Sequence, residues 1–134
     1  MTKRLVNPTS LYDGSPFGLS HGTIDEPSGL LFVSGQVAWD LENSVTEDTV
    51  AGQLTRALEN LQVVLSKAGA GINDLLQLRL YIRGELEDHM EELAPILSGF
   101  LGTTRVAMTG IGVSSLASKR TLVEVEAVAR TQPL

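Results

Sequence analysis

The chain lacks cysteine altogether, and this absence removes several kinds of chemistry at once. Without cysteine in its 134 residues, there is no disulfide framework, no thiolate nucleophile and no zinc site built on cysteine. Histidine is scarce as well: only His21 and His89 occur, far apart and without a pattern of acidic ligands beside them. The sequence therefore predicts no metal site.

Long apolar runs and an excess of basic charge are also missing. No stretch approaches the roughly 18 apolar residues of a membrane helix, and the N-terminus lacks the apolar segment of a secretory signal. The formal net charge of −6 repels phosphate backbones, and no local basic patch offsets it. We therefore expect a cytoplasmic protein that binds neither membranes nor nucleic acid.

Two common enzyme signatures are absent from the sequence. There is no Gly-x-Ser-x-Gly elbow of the kind that presents the nucleophile of a serine hydrolase. The segment Gly110-Ile-Gly112 lacks the third glycine of a dinucleotide fingerprint and lies in a late predicted strand rather than at an opening turn between strand and helix. The sequence thus favours neither a serine hydrolase nor a dinucleotide-binding enzyme.

What remains is the composition of an ordinary globular domain. The apolar fraction is 43%, and the length suffices for one complete hydrophobic core. No repeat, low-complexity tract or long linker interrupts the chain. We expect a single domain spanning residues 1–134.

The N-terminal part predicts a β-hairpin. Leu5-Val6 indicates a short strand at best, and residues 10–22 are rich in Gly, Ser and Pro, which is typical of an ordered surface loop. Residues 30–36 form a predicted strand whose partner is expected at 19–24, across the turn at 25–29.

The central part predicts a long helix. The segment 44–47 has the form of a capping box, because Ser44 is followed three positions later by Glu47. Behind it, apolar residues recur at helical spacing until Gly69: Val50, Leu54, Leu58, Leu61 and Leu65.

The C-terminal part predicts three strands and a second helix. Apolar residues alternate with polar ones over 76–83, which indicates a strand with one face of each kind. A helix is expected over 86–101, with a kink or restart at Pro95 because proline removes a donor and clashes with the preceding turn. Further strands are expected at 105–113 and 121–130.

The predicted order is β-β-β-α-β-α-β-β, an α+β fold whose mixed sheet carries both helices on one face. In the last strand, the two-residue period assigns to the helix-covered face Val123, Val125, Ala127 and Ala129. To the other face it assigns Glu124, Glu126 and Val128, with Arg79 and Tyr81 from the neighbouring strand. Such a face is poorly suited to full exposure, so we expect self-association through it.

Arg105 and Glu124 are the candidate functional pair. Arg105 is a lone cation after the turn-like Gly102-Thr103-Thr104 and at the start of a predicted strand, where a guanidinium can bind a small carboxylate through two parallel bonds. Glu124 lies in an otherwise apolar strand, where a carboxylate can handle a proton or a water. Together they suggest the core of a small enzyme site.

The segments around these residues resemble a known family. Phe-Val-Ser34-Gly35-Gln36, the Leu-Arg-Leu-Tyr-Ile strand, Thr-Arg105-Val-Ala107 and the closing Val-Glu124-Val-Glu-Ala-Val-Ala are similar to the RidA family, also called YjgF/YER057c/UK114. The resemblance covers essentially the whole chain. It implies a chorismate-mutase-like fold, assembled as a homotrimeric barrel with a ligand cleft at each subunit interface.

The resemblance also implies an activity, the cofactor-free hydrolysis of reactive enamine and imine intermediates such as 2-aminoacrylate to 2-keto acids and ammonia. This chemistry limits metabolite damage after pyridoxal-phosphate enzymes. By the same resemblance, Arg105 would bind the substrate carboxylate, the main chain at Ala107 would contact its polar atoms and Glu124 would orient or activate water. Ser34 would line the pocket as a hydrogen-bonding group, and Phe17 stands where the family often has tyrosine.

Each of these residues also has a structural interpretation. Arg105 could be a surface or interface arginine paired with an acid, and Glu124 an ion-pair partner across the trimer. Ser34 could merely end a strand, and Phe17 could anchor a loop. For Glu126 we favour the structural role, with Arg79 as its partner.

Two classes of function therefore remain open. One is an enamine/imine deaminase acting on a small carboxylate-bearing imine. The other is a non-catalytic module on the same trimeric scaffold that binds 2-keto acids or similar metabolites or acts as a chaperone-like partner.

Overall fold

A single six-stranded sheet forms the centre of the molecule. In this computed structural model, which describes residues 2–131, the strands are β1 (Lys3–Val6), β2 (Gly22–Asp25), β3 (Leu30–Gln36), β4 (Leu75–Arg83), β5 (Ala107–Val113) and β6 (Val123–Arg130). Their order in the sheet is β1-β2-β3-β6-β4-β5. Only β4 and β5 run parallel among these pairs. The predicted α+β class and the order of the main elements are confirmed.

Two helices cover one face of this sheet, α1 (Val50–Lys67) and α2 (Met90–Leu101). The alternation in β6 is as predicted, because the residues buried beneath the helices are Val123, Val125, Ala127 and Ala129. They belong to one continuous core with apolar residues of both helices, including Leu61 from α1 and Leu93 from α2. The opposite face of β6 carries the half-buried Glu124 and Glu126.

The start of α1 differs from the prediction. The segment 44–47 does not cap the helix; the N-cap is Thr49, whose side-chain oxygen accepts a hydrogen bond of 3.0 Å from the Gly52 amide. The first free amides of a helix lie within one turn of its first residue, so a cap must stand directly before that residue. Ser44 is too far from Val50 to serve.

Strand β4 also differs in one position. The alternation over 76–83 assigns Leu76 to the apolar face of the strand, but the residue is 43% exposed while Leu75 is buried. The pairing of β4 with β6 shifts register between Leu75 and Gln77, which marks a β-bulge at Leu76. A bulge adds one residue and reverses the alternation locally.

Three of the predicted strands are shorter in the structure. The partner of β3 in the hairpin is Gly22–Asp25, and the last two strands begin at Ala107 and Val123. The second helix consists of a short 3₁₀ turn, Leu86–His89, followed by α2, which continues through Pro95. The change of helix type therefore precedes the proline.

The loop over 10–22 is ordered, but it is not merely a surface loop. Leu11, Tyr12 and His21 are all buried, and His21 is only 1% exposed. A short 3₁₀ turn, Ser15–Phe17, lies between them. Part of this loop therefore packs as core.

The two edges of the sheet differ in chemistry. Edge strand β1 carries Lys3 and Arg4, and Arg4 forms an ion pair of 2.9 Å with Glu26. Edge strand β5 carries no charged residue from Ala107 to Val113, and its first residues, including Met108, are exposed. Among the described strands only β4 pairs with β5, so one side of its main chain is free to bond elsewhere. Within residues 2–131, neither helix has the length and apolar content needed to cross a membrane.

Gln53 ties the start of α1 to the chain on either side. Its side-chain amide donates to the carbonyl oxygens of Glu47 and Arg120, both at 2.9 Å, and its oxygen accepts from the Leu122 amide at 2.7 Å. The side chain is 1% exposed, so water cannot replace these bonds.

We predict that Gln53→Leu lowers the free energy of unfolding by at least about 2 kcal/mol, because buried backbone groups lose their partners. Urea denaturation followed by circular dichroism measures this. Gln62→Leu is the matched control, since Gln62 is exposed on the same helix. Equal stabilities of the two variants would contradict the proposed bridging role.

Candidate functional site

A cavity of about 260 Å³ opens where the N-terminal loop meets β3 and β6. Its walls are Tyr12, Phe17, Leu19, Ser34, Gly35, Val37, Trp39, Ala117 and Glu124. The structure thus brings together three of the predicted site residues, Phe17, Ser34 and Glu124. We refer to this cavity as the Glu124 pocket.

Glu124 is the ionisable group of the pocket. It lies on β6 opposite Tyr81 of β4, and its side chain is half-buried. Burial raises the pKa of Glu124 above its ordinary value, and the negative charge of Glu126 raises this pKa further. Within residues 2–131, its carboxylate forms neither a hydrogen bond nor an ion pair with another side chain. It is therefore available to a ligand or a water.

Gly35 explains how the carboxylate fits against β3. A Cβ atom at position 35 would overlap the side chain of Glu124, so this side chain keeps its position only while residue 35 is glycine. The pairing of β3 with β6 is irregular between Val33 and Gln36, which is where the side chain crosses the neighbouring strand. The Glu124 side chain thus packs against the Ser34-Gly35-Gln36 segment.

Ser34 contributes an acceptor rather than a donor. Its hydroxyl donates to the Ser20 carbonyl oxygen at 2.5 Å, and its amide donates to the His21 carbonyl oxygen at 2.9 Å. With its proton used in this way, the Ser34 oxygen still has a lone pair for a donor in the pocket.

Glu126 differs from Glu124 although the two project from the same face. The Tyr81 hydroxyl donates to the Glu126 carboxylate, and Arg79 lies 3.7 Å from it. The hydrogen bond to Glu126 raises the pKa of the Tyr81 hydroxyl. The structure thus places Arg79 beside Glu126, as the structural interpretation of this residue expected.

A buried network supports the loop side of the pocket. His21 Nε2 lies 2.8 Å from the Tyr12 carbonyl oxygen, which can only accept, so this nitrogen carries the proton. His21 Nδ1 then accepts from the Gln36 side-chain amide at 3.2 Å. Both nitrogens of His21 are therefore occupied, and its role here is to hold Tyr12.

Tyr12 and Trp39 form the inner wall. Their ring centroids are 5.1 Å apart, and the Trp39 Nε1 donates to Thr121 Oγ1 at 3.0 Å. Burial raises the pKa of the Tyr12 hydroxyl, and the charge of Glu124 raises it further. This hydroxyl therefore stays protonated at neutral pH.

Neither Tyr12 nor Trp39 was predicted as a site residue. Tyr12 comes from an irregular loop and Trp39 follows the end of β3, so no periodic pattern places them in the site. The Ser-rich, Gly-rich character of the loop concealed its buried residues. Trp39, five residues after Ser34, was the one available signal, because aromatic residues amount to only 4% of the chain.

Phe17 forms the outer wall of the pocket. It ends the 3₁₀ turn that begins at Ser15, and Gly18 follows it in the left-handed region with φ of 76°. The Phe17 side chain is 61% exposed, which is unusual for a ring of this size.

Ala117 closes another side of the pocket from the loop over 114–122. Arg83 holds this loop, because its guanidinium donates to the carbonyl oxygens of Ser114, Ser118 and Thr121. The longest of these contacts is 3.3 Å. Hydrogen bonds from the Arg83 side chain to the main chain of the loop thus hold this wall in place.

Arg105 and Ala107 lie elsewhere. The Arg105 Nη1 donates to the carbonyl oxygens of Gly102 and Thr104, both at 2.9 Å, which orients the guanidinium and leaves its other edge available. A separate cavity of about 430 Å³, between α2 and the start of β5, includes Arg105 among its walls. Ala107 opens edge strand β5.

The sheet register separates Arg105 from Glu124 within one chain. Glu124 is opposite Tyr81, which is level with Ile111, whereas Ala107 is level with Gln77 near the other end of β4. At about 3.3 Å per residue and 4.8 Å per strand, the two backbones are on the order of 20 Å apart. A single chain therefore does not bring the predicted pair together.

The described residues offer no metal centre. Over residues 2–131, no group of at least three His, Asp or Glu side chains is arranged to hold an ion. The pocket instead presents one carboxyl, two hydroxyl groups and apolar walls.

Comparison with known proteins gives a consistent result. Residues 18–131 match the family described as Endoribonuclease L-PSP. A RutC family protein of Pyrococcus abyssi is 31% identical over 100 residues, which cover 74% of this chain and 76% of that protein.

Solved structures extend the likeness to nearly the whole chain. The Rid family protein YyfB of Yersinia pestis, whose function is unknown, is 32% identical with a TM-score of 0.71, covering 97% of this chain and 99% of its own. Rv2704 of Mycobacterium tuberculosis, a member of the YjgF/YER057c/UK114 family, has a TM-score of 0.81 at 24% identity, covering 96% and 99%.

We predict that Gly35→Ala lowers the free energy of unfolding by about 1 to 3 kcal/mol, because its methyl group displaces the Glu124 side chain. The cost should shrink by at least about 1 kcal/mol in a Glu124→Ala background, where the space is empty. Urea denaturation of both single variants and of the double variant gives this coupling energy.

Gly99→Ala is the matched control, since a Cβ at position 99 of α2 meets open space. It should leave stability unchanged or raise it by up to about 1 kcal/mol. An equal cost of Gly35→Ala with and without the Glu124 side chain would show that the two residues do not compete for space.

Proposed function

The chain belongs to the Endoribonuclease L-PSP family, the YjgF/RidA group, and from this premise we propose that it hydrolyses reactive enamine and imine intermediates to 2-keto acids and ammonia. The observation that carries the proposal is the Glu124 carboxyl, which is half-buried, unpaired among the described residues and raised in pKa by burial. A carboxyl of this kind can accept a proton from an attacking water and return it during the reaction.

The chemistry requires one proton-handling group and a positioned water. The water oxygen attacks the imine carbon while the Glu124 carboxylate accepts a proton from it, and the electron pair of the C=N bond moves to nitrogen. Protonated Glu124 then returns this proton to nitrogen, which gives a carbinolamine. The Glu124 carboxylate next accepts the proton of the new hydroxyl group and passes it to the amino nitrogen, so that the C–N bond breaks, ammonia leaves and the hydroxyl oxygen becomes the carbonyl oxygen. Because an imine carbon is already electrophilic, positioning and proton transfer supply the catalysis.

Arg105 is proposed to bind the substrate carboxylate. One nitrogen of its guanidinium is fixed by two carbonyl oxygens, so the remaining edge is oriented for a bidentate contact. The main chain at Ala107, on the edge strand, would contact the substrate's polar atoms. In the Glu124 pocket, Ser34 would accept a hydrogen bond from the imine or amine nitrogen.

This assignment requires two copies of the chain. Arg105 is too far from Glu124 in one copy, so a common substrate needs Arg105 from one subunit and Glu124 from another. The uncharged edge strand β5 and the open face of the sheet would form that contact. We propose the homotrimer expected for the family, with a site at each interface.

The acidic charge of the protein disfavours an action on RNA, although the family's description names an endoribonuclease. A net charge of −6 opposes the approach of a phosphate backbone, and two glutamates project from the face that carries the site. A small carboxylate needs only the local positive charge of Arg105.

We predict that Glu124→Gln lowers the rate of imine hydrolysis at least about 100-fold while 2-keto acid binding is largely retained, because only the proton transfer is lost. Imines generated by an amino-acid oxidase, with ammonia release corrected for spontaneous hydrolysis, provide the assay. Loss of assembly or folding in this variant would show that Glu124 is structural. A wild type that binds keto acids without exceeding background would favour a binding module.

The pH profile supplies a matched control. The wild-type rate should rise with pH as Glu124 loses its proton, at a pH above its ordinary pKa of 4.5. Glu126→Gln should keep this rise but move it to lower pH, because removing the neighbouring negative charge lowers the Glu124 pKa. An unchanged profile in Glu126→Gln would contradict the electrostatic coupling.

We predict that Arg105→Lys and Glu124→Gln complement each other. Each variant alone is nearly inactive, but a one-to-one mixture refolded together should regain about a quarter of wild-type activity, because a mixed interface can combine an intact Arg105 with an intact Glu124. Light scattering of the mixture checks the trimer. Activity no greater than the sum of the separate variants would contradict a shared site.

A further inference from the structure

We propose that the Glu124 pocket selects a bulky apolar side chain, preferably an aromatic one. This inference rests on the proposed function and specifies its substrate class. The substrate would be the imine that corresponds to a 2-keto acid with a phenyl or branched alkyl group, rather than one with a methyl group.

The first support is where the aromatic residues lie. The chain has three Phe, two Tyr and one Trp, and three of these six residues line this one cavity. They are Tyr12, Phe17 and Trp39. Aromatic rings prefer to pack edge-to-face or offset against another ring, so such a wall favours a flat apolar group.

The other residues that line the pocket are mostly apolar. Leu19, Val37 and Ala117 are aliphatic, and the polar side chains are Ser34, Glu124 and the Tyr12 hydroxyl. When the reacting carbon lies beside Glu124 and the carboxylate is bound by Arg105 of another subunit, the substrate's side chain is surrounded mainly by hydrocarbon. Apolar surface removed from water on that side stabilises the complex.

The size of the cavity points the same way. Its volume is about 260 Å³. An apolar protein cavity of about 150 Å³ suffices to bind benzene. A phenyl or isobutyl group therefore fits, whereas a methyl group would leave most of the apolar wall without a partner.

The inner wall is also rigid enough to discriminate. Tyr12 packs edge-on against His21 with ring centroids 4.7 Å apart, and its main chain is bonded to that ring. Trp39 is held by its bond to Thr121. A wall already fixed in place costs little ordering on binding and does not collapse onto a smaller ligand.

Phe17 offers exposed apolar surface at the outer side of the pocket. Its ring is 61% exposed at the mouth of the pocket, so it has apolar surface that nothing in the described chain covers. A bulky apolar substrate would cover that surface, and a small one would not.

Calorimetry of the full-length wild type with pyruvate, 4-methyl-2-oxopentanoate and phenylpyruvate tests this. We expect phenylpyruvate to bind at least about tenfold more tightly than pyruvate, with the branched acid between them or close to phenylpyruvate. In the hydrolysis assay, kcat/KM should follow the same order for the imines of phenylalanine, leucine and alanine.

Phe17→Ala should weaken phenylpyruvate binding by at least about threefold and reduce the preference over pyruvate. Its exposed position makes misfolding a minor concern. Leu5→Ala is the control, since Leu5 is 56% exposed on β1 and does not line the pocket. It should change neither affinity nor preference.

The outcomes separate this inference from the proposed function. Equal affinities for pyruvate and phenylpyruvate, tighter binding of pyruvate, or no binding of any keto acid would overturn the selectivity. If these acids bind equally while imines are hydrolysed above background, the hydrolase stands and the selectivity fails. If phenylpyruvate binds more tightly but no imine is hydrolysed above background, the selectivity stands and the hydrolase fails.

Discussion

The two-residue alternation of β6 is the constraint on which the rest of the structure depends. This strand lies between β3 and β4, so every side chain on it must enter either the helix-covered core or the opposite face. Small and branched residues such as Val125 and Ala127 fill the first. The second receives Glu124 and Glu126. Because a shift of one residue would exchange the two sets, the apolar core fixes the position of both carboxylates.

The two carboxylates are chemically identical, but their surroundings give them different roles. Glu126 has a hydroxyl and a guanidinium beside it, so side chains of the neighbouring strand compensate its negative charge. Glu124 instead lies over Gly35, close to Tyr12, without such partners among residues 2–131. One carboxyl therefore stabilises the face, and the other retains the capacity for chemistry.

Much of the fold was predictable because its signals are local. The alternation of β4 and β6, the spacing along α1 and the turn of the hairpin are patterns within single segments. The bulge at Leu76 was not predictable, because it depends on pairing with β6, which is distant in sequence. The family resemblance placed Glu124 and Ser34 in one site. It did not indicate Tyr12 and Trp39, which reach the pocket from a loop and from the end of a strand. Non-local contacts set those positions.

The unequal edges of the sheet have a consequence for the newly made chain. At the β1 edge, Lys3 and Arg4 discourage another strand from adding to the sheet, because charge on an edge opposes such pairing. At the β5 edge no charge does so, and Gly110 and Gly112 only weaken its tendency to pair. Until another strand or subunit pairs with it, this edge is the part of a newly synthesised chain that is most prone to aggregation.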